Sequence, residues 1–125
     1  MGERRRLLMV DDDRALLDAV KRLLGADFDV ATLSDPIEAA TRLLEGERYD
    51  AILLDVRMPP LDGGELYEMI RRISPEQALR VVFISGERLA ARIGGRGHAY
   101  LPKPFSRSAL LDALSSVTET PVSSR

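Results

Sequence analysis

The sequence contains no cysteine, no tryptophan and a single histidine, His98. Without cysteine it can hold no disulfide and no zinc–thiolate site, and one imidazole cannot by itself build a transition-metal centre. His98 is expected on a surface loop. The lack of disulfides fits a reducing compartment, and a cytoplasmic location is expected. No apolar run approaches the roughly 20 residues needed to cross a bilayer, so membrane insertion is not expected. Met1–Arg6 is basic but leads straight into a strand-like run with no cleavage-type segment, so secretion is not expected either. Nor is there an excess of one charge: 18 Lys and Arg stand against 20 Asp and Glu, for a formal charge of −2. That balance lacks the basic footprint of a nucleic-acid surface, and direct nucleic-acid binding is not expected. The one basic cluster, Arg4-Arg5-Arg6, reads as the solvated start of a strand.

What the chain does have is enough apolar material for one globular domain, with 45% hydrophobic residues in 125,. Strand and helix patterns alternate at the spacing of βα units. Strands are expected at about Arg6–Val10, Asp27–Leu33, Asp50–Leu54 and Arg80–Ile84, with a short fifth one around Ala99-Tyr100-Leu101. The first, third and fourth are continuously apolar, which makes them central and covered on both faces. In the second, Phe28, Val30 and Leu33 should point inward. A first helix over Arg14–Leu24 places Leu16, Leu17, Val20, Leu23 and Leu24 on one face, with Gly25 as its stop. A second helix starts at Asp35-Pro36, where Asp35 and Glu38 can cap reciprocally, and ends near Glu45-Gly46. A third follows Met58-Pro59-Pro60-Leu61-Asp62-Gly63 and carries Leu66, Met69, Ile70 and Ile73. A last one begins after Ser106 and shows Leu110, Leu111 and Leu114. Right-handed crossovers between parallel strands then give an α/β, doubly wound sandwich. The crossover from Glu87 to His98 is weak, because Gly94, Gly95 and Gly97 each cost a helix about 1 kcal/mol relative to Ala. Residues 118–125, rich in Thr, Ser and Pro, are expected to fray, leaving residues 1–117 as the domain.

The polar residues that follow these strands carry the chemistry. Asp11-Asp12-Asp13 follow the first, Asp55 the third, Ser85 the fourth, and Lys103 the fifth. In an open parallel sheet these carboxyl ends share one edge, where ligands bind. Carboxylates converging there repel one another unless a cation sits among them. The pattern reads as a divalent-metal site beside a reactive aspartate, with Asp13 as the cap of the first helix.

Val10-Asp11-Asp12-Asp13, Leu54-Asp55-Val56-Arg57-Met58-Pro59 with Asp62-Gly63, Phe83-Ile84-Ser85-Gly86 and Tyr100-Leu101-Pro102-Lys103-Pro104-Phe105 together resemble the receiver domain of two-component response regulators. The resemblance covers about Leu7 to Leu114. It implies a five-stranded, flavodoxin-like (βα)5 fold of strand order 2-1-3-4-5. It implies that Asp55 accepts a phosphoryl group from a histidine kinase or phosphotransfer protein. It also implies Mg²⁺ held by Asp12, Asp55 and the backbone carbonyl of Arg57, with Asp11 assisting through water. Lys103 would pair with the phosphoryl oxygens, Ser85 would move to bond them, and Tyr100 would swing inward as it does. The Lys103-Pro104 bond would be cis. The output would pass to a downstream protein, and the chain itself would not be an enzyme.

The chain departs from the family in the segment between Ser85 and Lys103, which is a few residues short, so the helix before the fifth strand is expected to be shortened or disordered. The usual dimer across that face should be impaired, leaving a monomer. Arg57 and Glu87 are placed to flank the pocket mouth and to cover the path of hydrolytic water. Two other functions compete. A phosphorylation-independent adaptor would not need the set Asp11, Asp12, Asp55, Ser85 and Lys103. A small Mg²⁺-dependent aspartyl phosphohydrolase would want a second acid two residues after its nucleophile, where Arg57 stands. Whether the receiver stands alone or belongs to a longer protein such as a hybrid kinase is open.

Overall fold

Apolar runs flanked by helix-forming segments assemble here as alternating strands and helices. The computed structural model describes residues 4–57, 62–86 and 98–118. The elements are β1 (Arg5–Val10), α1 (Arg14–Leu24), β2 (Phe28–Leu33), α2 (Pro36–Leu44), β3 (Ala51–Asp55), α3 (Gly63–Ile73), α4 (Pro75–Ala78), β4 (Val81–Gly86), β5 (Tyr100–Lys103) and α5 (Arg107–Ser115). The strands form one sheet in the order β2-β1-β3-β4-β5, and every pairing is parallel. This is the expected flavodoxin-like (βα)5 architecture. The expected shortening of the crossover helix before β5 concerns residues 87–97, which lie outside the described residues.

The alternation of side chains along each strand splits the core into two layers. Leu7, Met9, Leu53, Val82 and Ile84 face α1 and α5 and pack with Leu17, Val20, Leu24, Leu110, Leu111 and Leu114. Leu8, Val10, Ile52, Leu54 and Phe83 face the other way, onto Ala39, Leu43, Leu66 and Ile70 of α2 and α3. Both faces of β1, β3 and β4 are therefore covered, as their unbroken apolar runs require. Phe28 and Val30 join the first layer and Leu33 the second, so the inward residues of β2 serve opposite faces. Each fully buried Leu or Ile contributes about 1.5–3 kcal/mol. Two residues expected on apolar helix faces are exposed rather than buried, Leu23 and Met69.

The helix starts are set by caps. Asp13 accepts the Leu16 amide at 3.1 Å and begins α1. Asp35 begins α2 by accepting the Ile37 amide at 2.9 Å. The reciprocal cap expected from Glu38 is not made. That carboxylate instead pairs with Arg42, one turn on, at 3.6 Å. The capping box lies at α3, where Asp62 accepts the Glu65 amide at 2.8 Å and the Glu65 carboxylate accepts the Asp62 amide at 3.3 Å. The turn after α2 uses Gly46 at φ +97°, a left-handed conformation that suits glycine,. Helix α4 was not expected: Ser74 caps it and Pro75 opens it. Its buried Gln77 reaches back to the backbone of Tyr49, accepting the amide at 2.8 Å and donating to the carbonyl at 3.0 Å. That double bond ties the α3–β4 connection to the start of β3.

The consequence for function is the alignment of strand ends. Val10 lies beside both Leu33 and Leu54, Asp55 beside Ile84, Ser85 beside Pro102, and Gly86 beside Lys103. The polar residues at these ends therefore meet along one rim of the sheet.

Candidate metal centre

Asp11 is the first residue beyond β1, and its amide donates to the Leu33 carbonyl at 3.1 Å, continuing the β1–β2 ladder by one step. This fixes its side chain under the rim with no solvent exposure. Its two carboxylate oxygens are both engaged. Oδ1 accepts the Asp13 amide at 2.9 Å and Oδ2 accepts the Lys103 ammonium at 2.9 Å. Asp12, next in the chain, is exposed. Asp55 closes β3 and is buried; its Oδ1 accepts the Arg57 amide at 3.3 Å and lies 3.7 Å from Lys103 Nζ. One oxygen from each of Asp11, Asp12 and Asp55 lies within 4.8 Å of the others.

Gly63 holds the backbone around Asp55 in place. Its amide donates to the Val56 carbonyl at 2.9 Å. A Cβ at this position would lie 2.4 Å from the Asp55 carbonyl oxygen and 2.9 Å from the Val56 Cα, which no side chain permits. The Asp62-Gly63 pair thus has two separate tasks: the acid caps α3, and the glycine lets the helix start press against the end of β3. The motif was visible in the sequence, but this second task depends on a close approach that only coordinates reveal.

Three carboxylates and one ammonium leave the site short of positive charge. Burial, and then the neighbouring Asp11 carboxylate, push the Asp55 carboxyl up to about 6, against the opposing pull of Lys103 and the Arg57 amide. Burial pulls the Lys103 ammonium down. The hydrogen bond it donates to Asp11 and the charges of Asp11 and Asp55 outweigh this, holding Lys103 above the usual lysine value. An all-oxygen donor set of two buried acids and one exposed acid is the chemistry of a hard divalent cation. Oxygens around a bound Mg²⁺ lie about 3–4 Å apart. The observed spread therefore needs only small side-chain rotations to close, and the residues fit Mg²⁺.

The other sequence-predicted residues fall in different places. Ser85 is buried on the same rim, and its hydroxyl donates to the Gly86 carbonyl at 3.2 Å. Tyr100 is 41% exposed, so its ring is not folded inward. The Arg57 side chain is exposed, and its amide contacts Asp55. The Lys103-Pro104 peptide is cis, as the resemblance implies. Glu87 lies outside the described residues, and so does the pairing expected between it and Arg57. His98 lies in irregular backbone just ahead of β5, as expected, but it is not freely exposed. It is half-buried, with its ring 5.4 Å from those of Tyr67 and Phe83, which lie 5.4 Å from each other. Nothing in the local sequence announces this, because Tyr67 arrives from α3.

Comparison with known proteins places the geometry. The family model described as "Response regulator receiver domain" matches residues 7–115. The response regulator MprA of Mycobacterium sp. (strain KMS) is 36% identical over 110 residues, covering 85% of this chain and 47% of the relative. The chain thus spans about half the length of the curated relatives it matches. Among solved structures, a response regulator receiver protein from Sinorhizobium medicae WSM419 superposes with a TM-score of 0.78 at 30% identity, covering 92% of this chain and 94% of that one. The receiver domain of the sensor histidine kinase PA1611 from Pseudomonas aeruginosa PAO1 has a magnesium ion coordinated in its active site cleft. It superposes with a TM-score of 0.74 at 29% identity, covering 92% of this chain and 98% of that one. Strand order, the acid cluster at the sheet rim and the family match over nearly the whole chain converge on one conclusion: this chain belongs to the response regulator receiver domain family.

Proposed function

We propose that this chain is the phosphoacceptor of a two-component phosphorelay, with Asp55 as the acceptor. The observation that carries the reading is the buried Asp55 carboxylate, 3.7 Å from the Lys103 ammonium and sharing a sub-5 Å cluster with Asp11 and Asp12,. A carboxylate oxygen of Asp55 attacks the phosphorus of a phosphohistidine on a histidine kinase or phosphotransfer protein. The P–O bond to Asp55 forms as the P–N bond breaks, and the imidazole leaves. Mg²⁺, held by Asp12, Asp55 and the Arg57 carbonyl with Asp11 assisting, would offset the like charge of nucleophile and phosphoryl group.

The remaining work belongs to the protein's own groups. Lys103 presents a compact positive charge toward the oxygens on which transition-state charge accumulates. Ser85 rests on the Gly86 carbonyl and gains a stronger, charged acceptor when a phosphoryl group is present,. A bond made in only one state biases the equilibrium toward that state, which makes Ser85 a switch component. Tyr100, exposed here, would turn inward once Ser85 has moved. The output is a change in affinity for a downstream protein, in the cytoplasm, with the receiver monomeric and without direct contact to nucleic acid.

Incubation with acetyl phosphate and Mg²⁺ tests this. The expected result is a mass gain of one phosphoryl group that Asp55→Asn abolishes. A folded protein that gains no mass would be a phosphorylation-independent adaptor, and continuous turnover of a phosphate ester would mark a hydrolase. Either outcome overturns the proposal.

A further inference from the structure

At the opposite edge of the sheet, the amino ends of β1, β3 and β4 surround a groove of about 950 Å³. Arg4, Arg5, Arg6, Arg48 and Arg80 line it, together with the acids Asp27, Asp50 and Glu76.

The three acids are already committed within the protein. Asp50 accepts the Arg6 amide at 2.8 Å, Asp27 accepts Arg107 at 3.1 Å, and Glu76 holds Arg80 at 2.8 Å. Arg6 is engaged as well, with its guanidinium 4.7 Å over the Tyr49 ring and 3.4 Å from Glu47. Two arginines differ. The Arg4 guanidinium donates to the carbonyls of Gly25 and Phe28, and that of Arg48 to the carbonyl of Glu47. Carbonyls accept these hydrogen bonds but carry no formal charge. Among the described residues, no carboxylate forms an ion pair with Arg4 or Arg48, and both side chains are exposed.

We infer that this groove is an anion site for a short polyphosphate chain. Two exposed planar forks from separate segments, neither in an ion pair with a carboxylate among the described residues, suit a ligand with more than one phosphate group, because each fork matches a pair of phosphate oxygens,. The Tyr49 ring is buried beneath Arg6 and offers no open face to a nucleobase, so the phosphates rather than a base would be recognised,. The volume falls within the range of small-molecule clefts rather than an extended peptide track. The site is independent of Asp55, and its test can fail without touching the phosphoacceptor reading.

The experiment is a titration of the isotopically labelled, metal-free full chain with inorganic triphosphate, followed by amide NMR at low and physiological salt. Saturable shifts are expected at Arg48–Asp50 and Gln77–Arg80, weakening as salt screens the charges. Arg48→Ser should loosen the affinity by about fivefold or more, while labelling of Asp55 by acetyl phosphate stays at the wild-type level. Arg48 suits the test because its head group braces only the neighbouring Glu47 carbonyl, whereas Arg4→Ser would also release Gly25 and Phe28. The inference is overturned by any of four results: no saturable shift at millimolar triphosphate; shifts confined to the rim that holds Asp11 and Lys103; an affinity indifferent to Arg48→Ser; or tighter binding of an oligoglutamate peptide than of triphosphate at the same residues.

Discussion

The Lys103 ammonium sits 2.9 Å from Asp11 and 3.7 Å from Asp55, so it is bonded to Asp11 rather than to Asp55, the proposed acceptor. The lysine therefore occupies part of the negative charge that a divalent cation would use. Removing it should help the metal and harm the chemistry. Lys103→Met is expected to tighten Mg²⁺ binding by about threefold to tenfold at pH 8, as expected from removing one nearby like charge. It should also slow phosphoryl uptake from acetyl phosphate by at least about tenfold. Calorimetric Mg²⁺ titration of both proteins checks the first effect. An unchanged affinity would mean that the lysine does not compete with the cation.

Asp55 carries a pH signature of its own. Its carboxyl is raised to about 6 in the fold, first by burial and then by Asp11. A group that binds its proton more tightly in the folded state loses stability as pH rises through the interval between its unfolded and folded values. Here that interval runs from 3.8 to about 6. Above it, the ionised Asp55 destabilises the metal-free protein; below it, the carboxyl is neutral in both states and the penalty is gone. Asp55→Asn should thus raise stability by about 1–2 kcal/mol at pH 7–8 in the absence of metal and have little effect near pH 3.5. Urea melts of both proteins across this range, with chelator present, give the comparison. A gain that persists undiminished at low pH would show that packing, not charge, is responsible.

Gly63 offers a test of how the backbone around Asp55 is held. A methyl group there would lie 2.4 Å from the Asp55 carbonyl oxygen, a backbone atom that no rotamer can move aside. Gly63→Ala should push the start of α3 away from the end of β3 and cost about 2 kcal/mol. For a chain of this size that is a fall in melting temperature of about 8 °C. The exposed neighbour is the control. A Cβ at Gly64 would be 3.3 Å from the Asp62 side chain alone, so Gly64→Ala should cost far less. Equal losses at the two positions would refute the close-approach argument.

Most of the architecture was legible because the signals were local. The unbroken apolar runs of β1, β3 and β4 and the Asp13 cap can be read within a few residues of chain, and α1 spans Arg14–Leu24 as expected. The rim acids were legible for the same reason, since each directly follows or closes its strand. What escaped depends on distant partners or on brevity. Helix α4 is four residues long, too short for any periodicity. Gln77 is buried because it bonds the backbone of Tyr49, 28 residues away, and no side-chain pattern encodes that contact. The reciprocal cap expected at Asp35–Glu38 is found instead at Asp62–Glu65, a pair of the same spacing: Glu38 lies beside Arg42, whereas Glu65 folds back onto the Asp62 amide.

His98 provides the last prediction, because it enters a contact that the sequence did not suggest. Its ring meets Tyr67 edge-on at an interplanar angle of 73° and Phe83 at 79°, joining α3 to β4 just ahead of β5. Aromatic pairs of this kind contribute about 0.5–1.5 kcal/mol each beyond simple burial. His98→Ala should therefore lower stability by about 1–2 kcal/mol, and His98→Phe, which restores a ring, should recover most of it. Because the hydrogen bonds and ion pairs of the Asp55 and Lys103 side chains run to Asp11, to each other and to the Arg57 amide rather than to this cluster, the extent of Asp55 phosphorylation by acetyl phosphate should match the wild type in both variants. Thermal melts paired with mass measurement on the same samples separate packing from chemistry. If His98→Ala leaves the melting temperature unchanged, the three rings are neighbours without being partners.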